Sequence, residues 1–198
     1  MKRITGHRSG FTLIEIVIVL AIIAVLAGIL TPTLTRYVGD SRFRKAEADT
    51  RAIAAAMAMM YGDTGHWPIW VSGTATKASD TTFNLLATND GDTPAMDTLI
   101  TEWDGTAEDF TDQIIDNAVS YPTTGRRAWR GPYMEKTMAD PWGSKYMANV
   151  EFLQPSEVGG AKPVFVISAG PNKLVETVFD QAGPSITRGG DDIILRIK

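Results

Sequence analysis

Hydrophobicity changes character three times along this chain. Phe11 to Leu30 is a run of 20 residues broken by a single charge, Glu15. From Phe43 the apolar positions fall into helical spacing: Phe43, Ala46, Thr50, Ile53, Met57 and Met60 recur at alternating steps of three and four. Arg42, Arg44, Lys45, Glu47, Asp49 and Arg51 occupy the other faces, which predicts an amphipathic helix packing its stripe on its own domain. Gly62-Asp63-Thr64-Gly65 stops it. Past that turn, "SGTATKASDTT" and "NDGDTP" mark residues 69–130 as rich in turns and loops. Within them, Thr106-Ala107-Glu108-Asp109 predicts a helix start by a capping-box-like pairing, with Phe110, Ile114 and Ala118 inward. Tyr146–Phe152, Val164–Ile167 and Ile193–Ile197 read as strands. The expected fold is α+β, a long N-terminal helix packed on a C-terminal three-stranded antiparallel sheet.

A helix of about 20 residues spans a ~30 Å hydrocarbon core, and the first segment has that length and character. Lys2, Arg3 and Arg8 precede it, which keeps the N-terminus cytoplasmic and sends the remainder across. Arg36, Arg42, Arg44 and Lys45 follow on the far side, so the charge bias is uneven. One helix from Phe11 to Tyr61 would be about 75 Å long at 1.5 Å per residue, far longer than a head of this size needs. Its N-terminal half must bury itself in a membrane, in other proteins, or in each by turns.

Two residues sit oddly in that half. A carboxylate inside lipid costs roughly 2.5–3.5 kcal/mol on insertion scales. No Lys, Arg or His lies between Phe11 and Arg36 to offset Glu15. Cleavage after Gly10 would give Phe11 a free α-ammonium four residues before Glu15, on the same helix face. The cut thus creates the counter-charge, within one chain or on a neighbour, and a dry bundle of such helices favours the neighbour. Pro32 cannot donate to the carbonyl of Gly28, itself a poor helix residue, so two weak points share one lost hydrogen bond. Either the helix stops at Thr31 and restarts at Thr33, or Gly28–Pro32 stretches when the chain leaves lipid.

Composition narrows the chemistry. The 198 residues carry a net charge of −4, enough chain for one domain beyond the helix. Beyond the first ten residues there are 16 basic against 23 acidic groups and no base-stacking motif, which argues against nucleic acid as a partner. The absence of cysteine removes disulfides, thiolate metal sites and cysteine nucleophiles. His7 and His66 are the only histidines, and no catalytic triad, metal-binding His pair or phosphate-cradling glycine loop is present. The chain does not read as an enzyme.

Gly10-Phe11-Thr12-Leu13-Ile14-Glu15, behind a short basic leader and ahead of an apolar helix, resembles the class III signal of type IV pilins and type II secretion pseudopilins. The resemblance implies a pilin-like fold, cleavage by prepilin peptidase between Gly10 and Phe11, N-methylation of Phe11, and assembly in which Glu15 recognises the Phe11 amine of an adjacent subunit. An ordinary signal peptide would be cut after Val25-Leu26-Ala27 and leave Gly28 first. The internal charge and the amphipathic continuation speak against it.

Two later passages are similar to the major-pseudopilin head. Asp140-Pro141-Trp142-Gly143 has turn chemistry and leads into a strand, with Trp142 anchoring the turn against the helix. Ser168–Ile193 resembles the family's calcium loop, opened by Gly170-Pro171-Asn172 and closed by Asp191-Asp192. The implied structural Ca2+ would draw on Asn172, Glu176, Asp191 and Asp192, hard oxygens of the kind this ion takes. Asn172 is neutral where the family carries a carboxylate, which Glu176 or Asp180 would restore, and Val178–Gly190 reads as an insertion.

The resulting segments are a leader at 1–10, a transmembrane and filament-core helix at 11–32, an amphipathic helix at 33–62, a variable region at 63–135 and the head at 136–198. The implied role is a structural subunit of the periplasmic pseudopilus of a type II secretion system. The alternative is a type IV pilus subunit for adhesion, motility or DNA uptake. Implied partners are copies of the chain, minor pseudopilins, prepilin peptidase and an inner-membrane assembly platform. The implied location is a single pass of the inner membrane with the head periplasmic, then a periplasmic filament. Arg36, Arg42, Arg44 and Lys45 either dock on acidic heads in neighbouring layers or stay solvated.

Overall fold

The computed structural model describes residues 10–71, 76–77, 84–98, 103, 105, 107–153, 162–183 and 185–198. The leader, residues 1–9, lies outside them, as do Thr106 and most of Ser72–Thr82. Two compact units divide the chain, residues 1–41 and 42–198.

One helix, α1 (Leu13–Thr64), runs 52 residues and carries the only described segment long and apolar enough to cross a membrane. It starts at Thr12, whose Oγ1 accepts from the Glu15 N–H at 3.3 Å and whose carbonyl accepts from it at 3.1 Å. A hydroxyl at this position satisfies one of the orphan donors of a helix start. In the first unit every residue from Gly10 to Val38 is exposed. The helix continues through Pro32, so no boundary falls at Thr31. Threonine hydroxyls flank the proline: Thr31 donates to Ala27 O at 2.7 Å and Thr35 to Pro32 O at 3.0 Å.

In the second unit the expected stripe is the buried face of α1. Ala46, Thr50, Ile53, Met57 and Met60 are all 1% exposed or less, and Phe43 is the half-open end of the row at 37%. Burying an Ile or Met side chain contributes roughly 1.5–3 kcal/mol, so this face holds the helix on the head. The helix ends at Thr64, whose hydroxyl donates to Met60 O at 2.8 Å. Gly65 follows at φ +69°, a left-handed stop available to glycine, with its N–H on Tyr61 O at 2.8 Å.

The sheet is larger than expected and mixed in direction. Its order is β5 (Ala107–Asp109), β3 (Leu85–Ala87), β6 (Met147–Asn149), β7 (Phe165–Ser168) and β9 (Ile193–Arg196). The three expected strands are β6, β7 and β9, and they pair antiparallel. β3 extends them antiparallel to β6, and β5 lies parallel to β3. The fully antiparallel three-stranded sheet is therefore corrected to five strands. β6 is also shorter than Tyr146–Phe152, because Val150–Leu153 turns into a 3₁₀ helix. Two small ribbons complete the set: β1 (Trp70–Val71) with β2 (Thr76–Lys77), and β4 (Ala95–Met96) with β8 (Leu174–Val175).

The capping-box helix starts later than expected. α2 (Phe110–Ile114) has Asp109 as its cap, with Oδ1 accepting from Thr111 N–H at 2.7 Å. Phe110 and Ile114 are buried as expected, but Ala118 is exposed and Val119 takes the inward place. The core beneath the sheet is aromatic. Trp103, Tyr121, Tyr146, Phe110, Phe165 and Phe179 are each 2% exposed or less.

Candidate functional site

Two places concentrate the expected functional residues: the start of α1, and the lower head where the Asp140 turn meets the Gly170–Asp192 loop. At the start of α1, Phe11, Leu13 and Ile14 are 78, 83 and 67% exposed. Thr12 and Glu15 stand at the spacing of a capping box, with the Thr12 hydroxyl on the Glu15 N–H. That role of Thr12 went unread, although Thr-x-x-Glu ahead of an apolar run is its signature. The Glu15 carboxylate has no ion-pair partner among the described residues. Beyond Thr12, the helix around it offers apolar side chains, including Ile16, Ile18, Ile22, Ile23, Leu26 and Ile29, exposed by half or more in most cases. A surface of this kind is covered by lipid or by protein in use.

In the head, Asp140 organises the turn. Its Oδ1 accepts from Trp142 N–H at 3.0 Å and Ser144 N–H at 2.8 Å, and Oδ2 accepts from Ser168 Oγ at 2.7 Å. Gly143, at φ +90°, returns its N–H to Asp140 O at 2.9 Å. The turn thereby aims Trp142 at the helix, edge-on to Phe43 with centroids 5.2 Å apart. Tyr146 adds a second tie, donating to Asp49 Oδ2 at 3.0 Å while Lys45 Nζ holds the same oxygen at 2.7 Å. Burial and the neighbouring Asp49 carboxylate push the Tyr146 phenol far above its ordinary value, so it stays a donor.

Ser168 links this turn to the loop, since its Oγ also accepts from Gly170 N–H at 3.3 Å. The loop brings Asn172, Glu176, Asp191 and Asp192 into one neighbourhood. Asn172 spends both ends of its amide locally: Oδ1 accepts from Leu174 N–H at 2.8 Å and Nδ2 donates to Glu176 Oε2 at 2.9 Å. Asp192 Oδ2 accepts from the N–H groups of Glu176 at 2.9 Å and Thr177 at 2.7 Å. Gly170 must be small here, because a Cβ would meet Asp191 O at 2.6 Å. Gly189 packs so closely on Glu176 O that a Cβ would clash with it.

The Oδ1 atoms of both Asp191 and Asp192 are buried without a hydrogen-bond partner. Burial, and then Glu176, push the Asp192 carboxyl above the ordinary aspartate value against the pull of its donors. Two buried carboxylate oxygens facing no donor fit a hard cation. No three His, Asp or Glu side chains converge on one point among the described residues. The remaining ligands of a Ca2+ would therefore be loop carbonyls and water.

The Val178–Gly190 insertion is anchored rather than loose. Phe179 is 2% exposed, edge-on to Trp103 at 5.0 Å and tilted on Phe152 at 5.6 Å. Gln181 clamps the rest, with Nε2 on Val178 O and Thr187 O and Oε1 taking Thr187 N–H at 2.5 Å. Neither anchor was legible beforehand, since a single Phe in a polar loop gives no period.

Known proteins match the start of α1 and part of the head. Residues 6–31 match the prokaryotic N-terminal methylation motif, and residues 107–182 match the family type II secretion system, protein G. The type II secretion system core protein G of Escherichia coli is 27% identical over 178 residues, which is 90% of this chain and 92% of the relative. The core protein G of Pseudomonas aeruginosa is 25% identical over 156 residues, covering 77% of this chain and 78% of the relative. The fimbrial protein EcpC of Eikenella corrodens is 41% identical over 61 residues, 31% of this chain and 40% of its own length. No solved structure matches. With a methylation motif at the opening of its helix and a protein G match over residues 107–182 of its head, this chain is similar to the core protein G subunits of type II secretion systems.

Proposed function

We propose that this chain is a structural subunit of the type II secretion pseudopilus, polymerising through the N-terminal half of α1. The observation that carries this is the Gly10–Glu15 motif at the head of a 52-residue helix whose first part exposes an apolar surface charged only at Glu15 between Phe11 and Leu30. Prepilin peptidase cuts between Gly10 and Phe11, and methylated Phe11 keeps a positive charge. Glu15 then meets the Phe11 amine of a neighbouring subunit, which removes the unpaired carboxylate from the filament core. Before assembly the helix crosses the inner membrane once, with the head periplasmic. Gly28 and Pro32 supply the extension on leaving the bilayer, since the Gly28 carbonyl lacks its usual donor. The work is mechanical, and no enzymatic step is assigned.

A Ca2+ held by Asp191 and Asp192, with Glu176 beside them, staples a head that has no disulfides. Asn172 positions Glu176 through its amide rather than offering its oxygen. The match to a fimbrial protein spans 31% of this chain, against 77–90% for the two core protein G relatives, which favours the secretion reading over the pilus alternative.

The mature N-terminus tests the proposal. Mass spectrometry of the membrane-extracted chain should find methylated Phe11 first; a chain starting at Gly28 would sink the filament reading. Deletion of the gene should abolish exoprotein secretion and leave twitching motility intact, and the reverse pattern would assign the chain to a pilus.

A further inference from the structure

The head also carries a charge pattern that assembly through α1 does not use. Arg126, Arg127 and Arg130 fall within five residues and are all exposed. None of the three guanidinium groups forms an ion pair among the described residues. Their loop is firmly built. Trp129 N–H donates to Pro122 O at 2.7 Å, and its ring meets Tyr133 edge-on at 5.6 Å. Arg130 N–H donates to Tyr133 Oη at 2.9 Å, and that hydroxyl donates to Asp63 Oδ2 at 3.1 Å, at the end of α1. In the same loop Trp129 Nε1 is a buried donor with no acceptor. The loop thus presents three exposed cations that form no ion pair among the described residues.

A complementary surface lies on the same chain. Glu108, Asp109, Asp112 and Asp116 run from the end of β5 along α2 to just past its last residue. Burial raises the Glu108 carboxyl, and Asp112 and Asp109 raise it further; burial, Asp109 and Asp116 do the same to Asp112. Asp109 is spent on the helix cap. The other three face no cation among the described residues. Tyr133 N–H on Ile114 O at 2.9 Å ties the arginine loop to α2, yet no arginine pairs with the ridge. Within one head, neither the arginine set nor the acidic set forms an ion pair among the described residues.

We propose that the arginine loop of one copy, Arg126, Arg127 and Arg130, docks on the Glu108, Asp112 and Asp116 ridge of a second copy in the filament. The occupant follows from charge complementarity: a single sequence supplies both partners, in equal number. Two different patches meeting make a heterologous contact, which propagates along a filament instead of closing into a dimer. Such pairing sets register and partner choice more than affinity, and salt weakens it. This inference rests on the filament reading above.

The absence of cysteine makes the test direct. In secreting cells, a full-length chain bearing both Arg127→Cys and Asp112→Cys should oxidise to a ladder of multimers, and either single variant should not. The triple reversal Arg126→Glu, Arg127→Glu, Arg130→Glu should lower filament yield roughly tenfold, because like charges now face each other. Adding Glu108→Arg, Asp112→Arg and Asp116→Arg should restore most of it. Unchanged thermal melts of the variant heads confirm that folding is intact. Dimers without a ladder, cross-linking of Asp112→Cys to Arg42→Cys or Arg44→Cys instead, or wild-type yield from the triple reversal would each overturn the docking. If the unaltered chain forms no filament at all, the pseudopilus reading itself falls. If the unaltered and the reversed chains form filaments in equal yield, only the docking does.

Discussion

Asp140 serves three donors with two oxygens while almost fully buried, and it joins the Trp142 turn to the strand that feeds the Gly170–Asp192 loop. Asp140→Ala strands the buried Ser144 N–H and the Ser168 hydroxyl together, so we expect a loss of about 2–4 kcal/mol in denaturant unfolding of the head. Asp140→Asn keeps the shape and one acceptor, and should lose less. Asp192 behaves differently. Its folded carboxyl titrates above the ordinary aspartate value, so the folded state holds the proton that the unfolded chain releases. Stability of the metal-free head should therefore fall as pH rises above about 4. Ca2+ binds the ionised form and should remove that decline. Thermal melts in EGTA and in Ca2+ should diverge as pH rises, and Asp192→Asn should flatten the EGTA curve. Coincident melts at pH 7 would remove the ion from the head.

Elements with long, regular patterns were legible in the sequence, and short ones were not. The stripe from Phe43 to Met60 reads as a helix face because five turns repeat it, and its members from Ala46 to Met60 are all buried. β6, β7 and β9 announce themselves as apolar runs beside turns. β3 and β5 are three residues each with no longer apolar run around them of the kind Tyr146–Phe152 gives β6, and Ala107-Glu108-Asp109 has no apolar member beyond alanine. Their pairing is fixed by the sheet around them, which local propensity does not encode. The Val178–Gly190 insertion shows the same limit, because its order depends on one side chain entering an aromatic cage. Phe179→Ala should cost about 3–5 kcal/mol and release the loop to proteolysis, as expected for a large ring removed from a packed site. Limited digestion of the variant should cut between Phe179 and Gly190 first. Protection equal to that of the unaltered chain would show that Gln181 alone holds the segment.

For the whole molecule, the central question is whose amine Glu15 meets. Sequence places a carboxylate four residues from the proposed mature N-terminus, and the structure adds that the helix surface around it is apolar, and exposed from Gly10 to Val38. A filament core would strip water from both charges, and leaving one unpaired costs about 3–5 kcal/mol. Glu15→Ala alone should therefore cut incorporation at least tenfold by the same estimate. Mixed assembly separates the two pairings. If the amine of each chain is read by a neighbour, a Glu15→Ala subunit placed beside unaltered ones still has its own Phe11 amine received. Co-expression should then rescue incorporation of the variant, while each inserted copy leaves one neighbour's amine unread and shortens the filaments in proportion to its fraction. If Glu15 instead pairs with the amine of its own chain, the variant carries its unpaired charge wherever it goes. Its incorporation would then stay as low in the mixture as alone, and filaments of unaltered subunits would keep their length. Measuring the variant fraction and the filament length in the same preparation decides between them.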